Sequence, residues 1–200
     1  MELLLSKTTA VLIVDLQRGL LATNPPPGDL PAMLDRINDL SQRARAARAV
    51  VVLVRHDGTE QEGVVPQSEG WQLDPRLTVD SADLQIRKST GDSFFQTPLE
   101  TELRSRGVDC VVICGFATDF CIDATLRGAV SKSFRVVLAA DAHTTHDGPE
   151  LKVHQIRRHF NWVWAESSTA YPVKVIPVAE IAFQTDGDSN LLKTMRQEGE

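Results

Sequence analysis

The chain has little that would tie it to a membrane, a nucleic acid or an oxidising compartment. It is 200 residues long, and no apolar run in it approaches the ~18 residues that a membrane-spanning helix needs. The amino-terminal stretch MELLLSKTTAVLIVDLQ is apolar but broken by Ser6, Lys7 and two threonines. It lacks a basic leading region and a small-residue cleavage site, so it does not read as a signal peptide. Cysteines number three, an odd count that does not suggest a disulfide framework. A reducing, cytoplasmic setting is expected. Basic excess is missing as well: 21 Lys and Arg face 27 Asp and Glu, for a net charge of −6. That balance argues against a nucleic-acid surface. The one group of arginines, Arg43, Arg45 and Arg48, is spaced as the wet face of a helix. There is no G-x-G-x-x-G after the first apolar run and no Walker lysine, so dinucleotide and P-loop readings have no support. Internal repeats, low-complexity tracts and interdomain linkers are also absent.

What remains is an ordinary globular composition, 42% hydrophobic and 24% charged, on a length that suits one α/β domain. Short β-branched runs at 10–14, 50–54, 83–88, 111–114, 135–140 and 173–178 read as strands, several of them buried on both faces. Helical spacing separates them. One helix opens with Pro31 at its first position and continues through Met33, Leu34, Ile37, Leu40 and Ala44. A second spans 97–106, with Thr97 as N-cap, Pro98 at the first position and Glu100 at the third. A third follows Thr118 or Asp119 as N-cap and runs through Ile122, Leu126, Ala129 and Val130. A fourth runs from about Pro149 through Val163. Residues 57–83 have no periodicity and read as a long loop; the proline-rich 23–31 and the polar 142–148 read as shorter ones. Pro177 suggests that the last strand lies at an edge. The alternation implies a six-stranded, mainly parallel sheet with helices on both faces and right-handed crossovers. The expected fold is a single three-layer α/β/α domain over residues 1–184, followed by a polar tail at 185–200.

Asp15, Lys88 and Cys121 sit at, or just beyond, the C-terminal ends of three of these strands. In a parallel sheet those ends share one rim, which is where ligands bind. Cys121 is expected in the first turn of its helix, where unpaired N–H groups and the dipole favour thiolate over thiol. A carboxylate beside a thiol can take its proton, and an ammonium beside both keeps the carboxylate ionised. Taken singly, each residue has a plainer use: Asp15 as a turn cap, Lys88 as a surface charge, Cys121 as packing between helix and sheet. His143 and His146 lie three apart between Asp141 and Asp147. Without further ligand spacing this reads as a flexible polar loop rather than a metal site. Cys110 and Cys114 read as core. Trp162 and Trp164 cannot share one helix face, so one is available to a partner subunit or to ordinary packing.

Four motifs carry a family resemblance: VLIVDLQ at 11–17, EGWQLDP at 69–75, RKSTGDSFFQTPLE at 87–100 and CGFATDFCIDATLRGAV at 114–130. Together they resemble the isochorismatase-like cysteine hydrolases, a superfamily that includes nicotinamidases, N-carbamoylsarcosine amidohydrolase and ureidoacrylate, biuret and streptothricin hydrolases. The resemblance covers roughly residues 8–183. It implies a Rossmann-like isochorismatase fold with Cys121 as nucleophile, Asp15 as general base and Lys88 as third member of a triad. It also implies a cis peptide between Phe116 and Ala117, and an oxyanion hole made by the N–H groups of Ala117 and Cys121. The implied reaction is hydrolysis of an amide, carbamoyl or ureido C–N bond in a small molecule through a thioacyl intermediate. Nicotinamidases carry an Asp-x-His and further histidines that bind a metal. Residues 54–57, VRHD, lack that set, so neither a metal nor any other cofactor is expected. Isochorismatases proper cleave a vinyl ether and often lack the cysteine. That chemistry is one alternative, and a catalytically silent binding or scaffold protein is another. Relatives are usually dimers or tetramers, so a homodimer or homotetramer is expected, with no nucleic-acid or membrane partner. Pocket candidates are Leu20, Trp71, Phe94, Phe95, Phe116 and Phe120, with the 141–147 loop.

Overall fold

Apolar β-branched runs that alternate with amphipathic helices bury themselves best as a sheet covered on both faces, and this chain does so. The computed structural model describes residues 3–6, 8–23 and 26–184; the segment expected as a tail lies outside the described residues. In chain order the elements are β1 (Leu3–Leu5), β2 (Thr9–Val14), α1 (Arg18–Leu21), α2 (Leu30–Ala46), β3 (Val50–His56) and β4 (Leu84–Lys88). Next come α3 (Leu99–Ser105), β5 (Cys110–Phe116), a π-helical turn (Thr118–Ile122), α4 (Asp123–Ser131) and β6 (Arg135–Thr144). The described chain ends with α5 (Val153–Ala165), β7 (Lys174–Ile176), a 3₁₀ turn (Val178–Glu180) and β8 (Ile181–Phe183).

Six strands form one parallel sheet in the order β4-β3-β2-β5-β6-β7. The central strands β2 and β5 are buried along their whole length. Their side chains alternate between two cores, as the two-residue period of a strand requires. Val11 and Ile13 pack with Met33, Leu34, Ile37 and Leu40 of α2. Leu12 and Val14 face the opposite layer, with Leu99, Leu103, Leu126 and Trp164. In α5, Trp164 is buried and its indole N–H donates to Asp123 Oδ1 at 2.8 Å, while Trp162 is exposed. The pair therefore splits between faces, as their spacing requires. β7 is an edge strand, and Pro177 follows it directly.

Several boundaries differ from expectation, each for a local reason. Strand β6 continues through Thr144, where a loop was expected. A register shift after Ile113 lets pairing resume as Gly115 with His143 and Phe116 with Thr144. Helix α5 starts at Val153 rather than Pro149, because Asp147 Oδ1 accepts the Val153 N–H at 2.9 Å and Gln155 accepts that of Lys152. Helix α3 starts at Leu99 with Pro98 at the N-cap position, while the Thr97 hydroxyl donates to Ser93 O at 2.6 Å and accepts the Leu99 N–H at 3.3 Å, so Thr97 still caps the first turn. Helix α2 begins one residue before Pro31. A separate two-stranded parallel sheet of β1 and β8, too short to carry a periodic signal, was not expected.

Residues 57–83 form the expected long loop, pinned over the C-terminal rim of the sheet. Gly19, Gly63 and Gly70 make this possible. A Cβ on Gly19 would fall 2.1 Å from Gly63 O, and one on Gly70 would fall 2.0 Å from the same atom. Only glycine lets the backbones cross this closely. No helix among the described residues is long and apolar enough to cross a membrane.

Candidate active site

Three strand ends meet beneath a cavity of about 750 Å³. Asp15 leaves β2 with φ of 53°, in the left-handed region that a non-glycine residue occupies only when its surroundings enforce it. Its N–H is held by Val54 O at 3.0 Å. Lys88, the last residue of β4, is buried, and its Nζ donates to Asp15 Oδ2 at 2.6 Å and to Thr90 O at 3.0 Å. The same Nζ lies 3.3 Å from Cys121 Sγ. Gly115 brings the cysteine turn close to β2. Its φ is 123°, and a Cβ there would sit 2.1 Å from Val14 O. The next peptide, Phe116–Ala117, is cis. Asp15, Ala117 and Cys121 all line the cavity.

Burial dominates the electrostatics. It raises the pKa of Asp15, against the opposing pull of the Lys88 ammonium. The Cys121 thiol is pushed up to about 12, first by burial and then by the Asp15 charge. The expectation that this cysteine rests as a helix-stabilised thiolate is therefore corrected. It lies in a π-helical turn rather than the first turn of an α-helix, and burial keeps its proton on. Asp15 Oδ1 is buried and has no hydrogen-bond partner, so the pair contains one acceptor ready for a proton.

Of the pocket candidates, Leu20, Phe116 and Phe120 line the cavity. The other three do not. Trp71 packs its ring against the guanidinium groups of Arg55 and Arg87, 4.8 and 5.3 Å from the ring centre, and donates to Asp57 at 2.8 Å. Phe94 packs against Phe134, and Phe95 faces solvent. The two loop histidines also part company. His146 lines the cavity, edge-on to Phe116, with Nε2 3.2 Å from Leu20 O. His143 is buried away from it, in β6, between Thr118 and Asn161 at 2.9 Å each. Among the described residues no group of three or more His, Cys, Asp or Glu could hold a metal ion.

Sequence reasoning missed His56 and Glu62, which form one wall from the end of β3 and the loop after it. His56 Nε2 lies 3.4 Å from Glu62 Oε1. Gln17 holds this wall: its amide accepts the His56 N–H at 2.7 Å and donates to His56 O and Trp71 O at 3.0 and 3.1 Å. The available signal was Gln17 itself, a polar residue two positions beyond Asp15.

Comparison with known proteins now bears on this geometry. The Isochorismatase domain profile matches residues 9–168. The chain belongs to the isochorismatase family. A streptothricin hydrolase of Streptomyces noursei is 36% identical over 140 residues, covering 70% of this chain and 56% of that protein. A ureidoacrylate amidohydrolase of Enterobacter sp. (strain 638) is 33% identical over 130 residues, covering 62% of this chain and 56% of that protein. The chain thus spans little more than half the length of these curated relatives. The crystal structure of an isochorismatase family protein superposes with a TM-score of 0.78 at 29% identity, covering 85% of this chain and 98% of that one.

Proposed function

We propose that this isochorismatase-family protein hydrolyses a non-peptide C–N bond, amide or carbamoyl, in a small molecule, with Cys121 as nucleophile. The observation that carries the reading is Lys88 Nζ, buried, standing between Asp15 Oδ2 and Cys121 Sγ beneath the open cavity that these two residues line. In the resting site the thiol keeps its proton. Asp15 removes it as the thiol sulfur attacks the substrate carbonyl, and the Lys88 ammonium offsets the negative charge passing between carboxylate and sulfur. The N–H groups of Ala117 and Cys121 hold the carbonyl oxygen as it gains charge. Collapse breaks the C–N bond, and Asp15 returns the proton to the leaving nitrogen. Water, deprotonated by Asp15, then attacks the thioester; the acid leaves and the thiol recovers its proton. The relatives described as streptothricin hydrolase and ureidoacrylate amidohydrolase support the C–N assignment over vinyl ether cleavage.

The test is ammonia or amine release from a panel of amides, carbamoyl compounds and ureides, with wild type beside Cys121→Ala. Release by wild type that falls by ~10³-fold or more in the variant is the expected outcome. Equal release by both proteins would remove Cys121 from the nucleophile role.

A further inference from the structure

The cavity over Cys121 has an uneven charge. Among the described residues it is lined by four carboxylates, Asp15, Glu62, Asp119 and Asp147, and by no lysine or arginine. Two of the four have a cation of their own. Asp15 is paired with Lys88 at 2.6 Å, and Asp147 with Lys152 at 3.0 Å. The other two have no lysine or arginine partner among the described residues, although His56 Nε2 lies 3.4 Å from Glu62 Oε1. Glu62 Oε2 accepts from the N–H and hydroxyl of Thr59 at 2.8 Å each, and Asp119 Oδ1 accepts from the Thr145 hydroxyl at 2.6 Å. Hydrogen bonds of this kind orient a carboxylate without cancelling its charge.

The two histidines of the wall are tied into it by their own contacts. His146 directs Nε2 at Leu20 O and Nδ1 at the Thr23 hydroxyl, and His56 directs Nε2 at Glu62 Oε1. His56 Nδ1 is buried without a partner. Phe120, largely exposed at the mouth, follows Asp119 on the same turn and offers an aromatic face beside that carboxylate. An ammonium group is attracted to both. A carboxylate entering the same space would meet these two like charges and, among the described lining residues, no lysine or arginine.

We infer that the cavity selects amides or carbamoyl compounds carried on a cationic, amine-bearing substituent, and rejects those that carry a carboxylate. The substituent's charge lies toward Glu62 and Asp119, while the scissile carbonyl lies at Cys121. This specificity rests on the proposed reaction at Cys121, but the charge of the cavity can be read without turnover.

The experiment is modification of Cys121 by three methanethiosulfonates of matched size, bearing an ammonium, no charge or a sulfonate. Rates are followed by intact mass and divided by each reagent's rate with a small free thiol. Cys121→Ala supplies the background, since Cys110 and Cys114 are buried. The ammonium reagent is expected to react about tenfold or more faster than the sulfonate. The ratio should shrink at high salt and in the Glu62→Gln, Asp119→Asn double variant. A ratio near one, an inverted ratio, a ratio indifferent to both salt and the double variant, or no modification by any reagent overturns the inference. In parallel, kcat/KM is measured on matched amides bearing an amino group, a methyl group or a carboxylate. The order amino, methyl, carboxylate supports it, and faster turnover of the carboxylate overturns it. Charge-selective labelling without turnover of any amide would sink the hydrolase reading and leave the preference for cations standing.

Discussion

Two buried polar clusters flank the turn that carries Cys121, and they are wired differently. Behind the turn, Asn161 Nδ2 donates to Ala140 O at 3.0 Å, which aims its Oδ1 at His143 Nε2. His143 Nδ1 is then the acceptor for the Thr118 hydroxyl at 2.9 Å. Every polar side-chain group in that chain has a partner, and burial depresses the His143 pKa to about 4, so the ring stays neutral. In front of the turn, the charges of Lys88 and Asp15 cancel beside the neutral Cys121 thiol, and Asp15 Oδ1 has no hydrogen-bond partner. The first cluster is complete and holds the fold. The second leaves one buried carboxylate oxygen open, the one to which the proposed reaction assigns the thiol proton. Burial is common to both, so completeness of hydrogen bonding is what separates them.

The sharpest way to break this comparison is Lys88→Met. It leaves the Asp15 carboxyl buried without its counter-ion, and urea unfolding should show a loss of about 3–5 kcal/mol near neutral pH. A loss below about 1 kcal/mol would mean that the pair is solvated. His143 gives an effect of about 3 kcal/mol. Its folded pKa lies below the unfolded value, so the unfolded chain takes the proton first. Its contribution is complete above about pH 6.5 and is lost as pH falls toward about 4. Urea midpoints against pH should therefore fall less steeply across that window in His143→Gln than in wild type; parallel curves would place the acid sensitivity elsewhere. Asn161→Ala, which strands His143 Nε2–H, should cost about 1–3 kcal/mol. Its kcat/KM per folded molecule should change less than tenfold; a larger drop would make the rear cluster part of the chemistry. The smallest effect concerns Asp15 in wild type. Its raised pKa means that turnover needs a pH above the ordinary carboxylate range, so the acid limb of kcat/KM should lie above about 4. A limb at the usual aspartate value would show that burial is offset in full by Lys88.

How legible was this in the sequence? The sheet and its layers were, because β-branched runs and helical spacing answer to burial, which is local in pattern. Element ends were not, because contacts from afar decide them: Asp147 fixes the start of α5, and a bulge on β6 between Leu138 and His143 lets pairing with β5 resume through Thr144. The site was half legible. Strand ends pointed to Asp15, Lys88 and Cys121, but not to a lysine on an edge strand reaching across β3 to a carboxylate on β2. Nor did they reveal that burial keeps the thiol protonated. Aromatic character misled for Trp71, Phe94 and Phe95, since a ring buries itself as readily against arginine or another ring as in a pocket. Glu62 belongs to a loop whose shape comes from glycine contacts, and His56 gains its place from the Gln17 amide; residue type alone does not forecast either.

The small sheet of β1 and β8 has a mechanical consequence. Leu3 to Leu5 pair in parallel with Ile181 to Phe183, and Arg43 on α2 donates to Ile181 O and Val178 O. Force applied ahead of Leu3 and beyond Phe183 runs along both strands in opposite senses. It therefore loads their hydrogen bonds together, in shear, rather than peeling them apart one by one. To a motor that pulls a protein apart from its ends, this domain presents a latch fastened to its longest helix. The latch must yield before the sheet beneath it feels the pull, and the rate of that first event, rather than the stability of the whole, sets how long the domain withstands the pull.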